Sequence, residues 1–130
     1  MSWTNTSGNG MVIEAETITP PASSTVYTSE IDFLKMDPTK ESKNVTFVGV
    51  MDDDAVGEVG IDLYGAFETG GTKFLLKSDV FTAFAIGATA QNMRAGVVDL
   101  NDYPAPYYYL GTTTVATETG DATLQVLYKP

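Results

Sequence analysis

Short runs of alternating apolar and polar residues, cut by turn-forming glycines, prolines and acids, constrain this chain most. Successive side chains on a β-strand point to opposite faces, so such runs make strands with one buried face. In residues 44–51, NVTFVGVM, Val45, Phe47, Gly49 and Met51 share one face, and Thr46, Val48 and Val50 share the other. Residues 56–67 repeat the pattern, with Val59, Ile61, Leu63 and Phe67 on a common face. Residues 68–72, ETGGT, supply hairpin glycines, and KFLLK at 73–77 is the returning strand.

Further strands are expected at 11–19, 94–100, 107–115 and 122–128, with short candidates at 24–28 and 31–36. In the first of these, Ile13, Ala15 and Thr17 alternate with Val12, Glu14 and Glu16, as in a half-exposed strand. Pro20-Pro21 stops it, Asp37-Pro38-Thr39-Lys40 is a turn, and residues 118–121 turn into the last strand. Residues 78–86 fit either a short capped helix or a strand through Phe81, Ala83 and Ala85, and 87–93 reads as a loop. No run sustains a helical period. The chain is therefore expected to be all-β: a single β-sandwich or jelly-roll-like barrel of roughly eight short antiparallel strands. That domain would span residues 11–130, behind an extended, flexible arm at 1–10.

A chain of 130 residues suffices for one domain with its own core. It has neither cysteine nor histidine, which removes disulfides, Cys-based zinc sites and the commonest catalytic base together. Seven Lys and Arg against 17 Asp and Glu leave a net charge of −10, which argues against direct binding to nucleic acid or an anionic membrane. Residues 1–10 lack the basic and apolar regions of a signal peptide, so synthesis in a cytoplasm without one is expected.

Few motifs could carry chemistry. Asp52, Asp54 and Gly57 begin a calcium-loop spacing, but Val56 and Leu63 stand where ligands belong, so the run reads as an acidic turn. Glycoside hydrolysis would need two facing carboxylates, and Glu58, Asp62, Asp99 and Asp102 are the candidates, with nothing in the sequence to pair them. No phosphate loop or cofactor motif is present, so no cofactor, metal or catalytic residue is expected and the chain reads as a non-enzyme. Trp3 on the polar arm either folds back on its own domain or anchors a neighbouring subunit. Tyr103-Pro-Ala-Pro-Tyr107-Tyr108-Tyr109 is the most distinctive local run. Tyr107 and Tyr109 share one strand face, and Tyr108 faces the other with Leu110. Tyr103, Tyr107 and Tyr109 are candidates for a sugar-stacking platform or a subunit contact, against the plainer reading of packing on Leu124, Val126 and Tyr128.

Residues 94–130, RAGVVDLNDYPAPYYYLGTTTVATETGDATLQVLYKP, carry a resemblance. The proline loop from Asp102 to Tyr107, the threonine-rich stretch 112–119 and the final strand 120–128 resemble the closing segment of small β-rich structural proteins of tailed bacteriophages. That resemblance implies a virion protein of the capsid decoration, cement or head-fibre kind. It would be a homo-oligomer that contacts the major capsid protein or other virion proteins, and it would carry no catalytic residue. A carbohydrate-binding module with a tyrosine platform is the alternative.

Overall fold

A computed structural model of the chain describes residues 3–5, 8, 10–18, 25–33, 35–51, 59–83, 92–114 and 122–130. The described strands are β1 (Thr4–Asn5), β2 (Val12–Ile18), β3 (Asn44–Met51), β4 (Val59–Ala66), β5 (Lys73–Lys77), β6 (Asn92–Asp99), β7 (Tyr107–Thr114) and β8 (Ala122–Tyr128). They form a five-stranded sheet of order β1-β2-β8-β3-β6 and a three-stranded sheet of order β5-β4-β7. Every pairing is antiparallel. Of the two architectures expected, the chain builds the sandwich.

The core lies where the inner faces meet. Ile18, Val45, Phe47, Leu124, Val126 and Tyr128 from the larger sheet pack with Ile61, Leu63 and Leu110 from the smaller one. Each fully buried side chain of this size contributes about 1.5–3 kcal/mol relative to exposure. β8 shows the cleanest alternation, with Ala122, Leu124, Val126 and Tyr128 all buried.

Several local expectations change. Of the candidates at 24–28 and 31–36, the described residues 25–28, 31–33 and 35–36 form no strand, only isolated bridges, and residues 24 and 34 lie outside the described residues. Residues 25–31 run beside β7 through isolated bridges Tyr27–Gly111 and Ile31–Tyr108. The amides of Thr28 and Ile31 donate to the Leu110 and Tyr108 carbonyls at 2.8 and 2.9 Å, and the amide of Thr112 donates to Val26 at 3.0 Å. The chain then turns, with the Met36 amide donating to the Phe33 carbonyl at 2.9 Å. Two bridges out of register by one residue satisfy the edge of β7 without a continuous ladder.

Residues 78–83 form neither helix nor strand. Asp79 takes a left-handed conformation (φ 53°), and its amide donates to the buried Asp62 carboxylate at 2.8 Å. The Val80 amide then reaches the Ile61 carbonyl at 2.9 Å. This crossing presses against β6, where a Cβ on Gly96 would lie 2.0 Å from the Val80 carbonyl oxygen. Only glycine fits that approach. β6 begins at Asn92, inside the stretch expected as a loop. The segment expected as an arm carries β1, in which Thr4 pairs with Ala15 and Asn5 with Glu14. Asp52 to Asp54, Glu58 and the turn at 118–121 lie outside the described residues.

Candidate functional site

Strand register defines the outward face of the larger sheet. One row across it is Ile13, Leu127, Thr46 and Val97. The next is Ala15, Gln125, Val48 and Ala95, and the third is Thr17, Thr123, Val50 and Met93. None of these positions is Asp, Glu, Lys or Arg. Met93 and Val97 are 59% and 64% exposed. Thr17 and Thr123 hydroxyls lie 3.1 Å apart, so even this polar row bonds across strands.

Three adjoining hollows cross one end of the sandwich. The first, about 320 Å³, sits below the sheet face, between Leu127 and Met36, with Lys40, Lys43 and Lys129 around it. The second, about 300 Å³, shares Met36 and Lys43 and is walled by Phe33, Pro104 and Tyr108. The third, about 390 Å³, shares Phe33 and Tyr108 and adds Tyr107, Pro106, Glu30 and Asp32. Together they make an aromatic and proline groove with lysines at one end and carboxylates at the other. The Tyr108 hydroxyl donates to the Tyr103 carbonyl at 2.8 Å and accepts from the Ala105 amide at 3.0 Å, which folds the proline loop onto it. Burial raises the Tyr108 pKa, partly opposed by the Ala105 amide.

The sequence-derived candidates fall in different places. Trp3 is half-buried against the core, and its Nε1 donates to the Ser29 carbonyl at 2.9 Å, so it folds back on its own domain. Tyr103 also packs partly against the core. Tyr107 is half-buried and lines the groove. Tyr109 shares its strand face with Tyr107, as alternation requires, yet is only 4% exposed. Lys73 Nζ stands 4.5 Å from the Tyr109 ring centroid. The Tyr109 hydroxyl accepts from the Gly70 amide at 3.1 Å and lies 3.3 Å from Glu30 Oε1. Tyr109 thus ties the β4–β5 turn to the segment beside β7.

Two of the candidate carboxylates hold backbone amides. Asp62 holds Asp79. Asp99 Oδ1 accepts from Lys43 at 3.1 Å and Asn101 at 2.9 Å, capping the short 3₁₀ turn Leu100–Asp102. Asp102 is exposed. Among the described residues, no group of three or more acids could hold a metal ion.

Sequence reasoning missed the uncharged face and the place of Tyr108. The first had a signal: alternate positions of 13–17, 46–50, 93–97 and 123–127 lack charge. Tyr108 had none, because its groove is closed by residues 30–38, far away in sequence.

No protein-family model and no curated protein is similar to the chain. Among solved structures, it is similar to a chain of Bacillus endospore appendages, which form disulfide-linked pili. The identity is 14%, covering 99% of this chain and 96% of that one, with a TM-score of 0.46. It is similar to CBM28, a carbohydrate-binding module specific for non-crystalline cellulose, at 14% identity over 94% and 76% of the two chains, TM-score 0.47. It is also similar to VP2 of the infectious bursal disease virus subviral particle, at 13% identity over 90% of this chain and 32% of that one, TM-score 0.39. Each is a likeness of chain path at low identity.

Proposed function

We propose that this chain is a structural component of a surface assembly, in its finer form a capsid decoration or cement protein of a virion, acting through protein–protein contacts rather than catalysis. The observation that carries this reading is the uncharged outer face of the five-stranded sheet. A chain of net charge −10 has acids to spare, yet places none in these three rows; the nearest, Asp99, stands one row on at the end of β6, beside Asn44. Depletion of charge at the centre of a patch, with polar groups at its rim, is the composition of an interface core. The excess of acid elsewhere favours protein contacts over nucleic acid or anionic lipid. The proposed partners are the major capsid protein, other virion proteins and further copies of this chain.

Quantitative mass spectrometry of particles purified from the source tests this. The chain should appear at lattice-like stoichiometry. Val48→Lys, which puts a charge in the middle of the face, should reduce incorporation at least about tenfold, since its ammonium would be desolvated on docking. Absence of the wild-type chain from particles sinks the reading.

The groove of Phe33, Tyr107 and Tyr108 supports a second reading, a carbohydrate-binding module, because aromatic walls with a few polar groups suit sugar rings. Glycan-array binding that Tyr107→Ala abolishes favours it, and an empty array counts against it.

A further inference from the structure

We propose that a second copy of this chain pairs along the outer edge of β6, antiparallel and centred on Ala95, joining two five-stranded sheets across a two-fold axis. This deepens the assembly reading above and rests on it, by naming one partner and one contact.

The sheet edges lead to β6. An edge strand exposes unpaired backbone groups that template pairing, so proteins guard edges with shortness, lysines, bulges or covering chain. β1 is two residues long. β5 is five residues, carries Lys73 and Lys77 at its ends and has an irregular register at Leu63/Tyr64. The outer edge of β7 is covered by residues 25–31 through the Val26, Thr28 and Ile31 backbone. β6 runs for eight residues with no proline and no lysine, and among the described residues its ladder partner is β3.

The side chains supply the register. A two-fold axis perpendicular to the sheet keeps outer faces together, so residues facing each other across the join must lie on the same side of β6. Centring on Ala95 sets exposed Met93 against Val97 of the second copy, twice, with Ala95 against itself. It also sets Arg94 opposite Gly96. Centring on Gly96 would instead place Met93 against Asp99. The first register gives both exposed apolar residues an apolar neighbour. Charge agrees: the strand carries Arg94 and Asp99, so it adds no net charge where two strongly acidic bodies meet. The uncharged outer faces of both copies become continuous. A single strand pair is smaller than a standard interface, so the contact is weak between free chains and gains from the high local concentration of an array.

The chain has no cysteine, so Ala95→Cys introduces a lone thiol. Opposed Cα atoms on antiparallel strands lie about 4.5–5.5 Å apart, which a disulfide spans. Oxidised A95C should form a covalent dimer at least about tenfold faster than T72C, an exposed loop position, because pairing concentrates the thiols. Adding Met93→Lys and Val97→Lys to A95C should remove that advantage, while circular dichroism shows the fold retained. Cross-linking of A95C no faster than T72C overturns the proposal. Particles that incorporate wild type and M93K/V97K equally also overturn the pairing and leave the structural reading standing. Rapid A95C cross-linking with no chain in particles supports the pairing and overturns that reading.

Discussion

Glu14 and Glu16 stand two apart on β2 with their side chains on the inward face, in register with Val126 and Leu124. Glu16 is buried and fully engaged, accepting from the Ser29 amide and hydroxyl at 3.0 Å each. Glu14 has a buried Oε2 with no hydrogen-bond partner among the described residues. Desolvation raises its pKa, the Asp32 carboxylate raises it further, and Lys35 opposes them. Nearby, Tyr128 is pushed up to about 12 by burial and by the Glu14 and Asp32 charges. The folded chain therefore holds the Glu14 proton more tightly than the unfolded chain does. Its contribution to stability is present below the unfolded carboxylate pKa and is lost as pH rises through the folded value. Glu14→Gln should raise the Tm at pH 7, by at most about 1 kcal/mol of stability given solvent screening, and the gain should vanish toward pH 4. Thermal melts at both pH values check this, and an equal gain at both would point to packing instead. Alternation placed these acids opposite Ile13 and Ala15, but it could not say which set faced the core. That depends on pairing with β8, a strand more than a hundred residues away.

At the scale of elements, the residues 25–31 act as a partial strand that closes β7. Thr28 is the pivot, with its Oγ1 accepting from the Leu110 amide at 3.1 Å and donating to the Ser29 carbonyl at 2.9 Å. Thr28→Val keeps the shape and removes both bonds, leaving a buried amide without a partner. The expected loss is about 1–3 kcal/mol, read as a lower urea midpoint with an unchanged slope. The long strands were legible because their periodicity is strict: β8 matches its expected bounds, and β3 and β5 do too. The described parts of the short candidates at 24–28 and 31–36 differ from expectation because apolar content alone cannot distinguish a ladder from two bridges out of register by one residue. The stretch 78–86 fits helix or strand in the sequence for a similar reason; its described part, 78–83, is neither, and 84–86 lie outside the described residues. The left-handed Asp79 and the Gly96 contact are tertiary features, fixed by Asp62 and Val80.

At the scale of the molecule, charge and shape divide the surface. The sequence pI is about 4.1, so at neutral pH copies repel except along uncharged ground. Lowering the pH toward 4.1 should increase self-association, and light scattering across a pH series should peak there. Scattering that stays flat through that range would mean that repulsion does not limit association. The candidate surfaces were less legible than the fold. Tyr107 lines the groove as a sequence reading could suspect, whereas Tyr109, equally prominent in the sequence, is locked under Lys73 and Glu30. Both occupy the same strand face, and only the packing of residues 25–31 and the β4–β5 turn separates them.

The alternation that most constrains the chain, with its turn residues and composition, determined that the fold is all-β, that its strands are short and antiparallel, and that no histidine or cysteine chemistry is available. Those properties are local: they follow from side-chain period, turn residues and composition. The tertiary structure alone decided that β2 lies beside β8, that acids of β2 turn inward, and that the uncharged positions of four strands form one face ending at β6. The physical reason is that a face is made by register between strands distant in sequence, and register is set by how both sheets fill a common core.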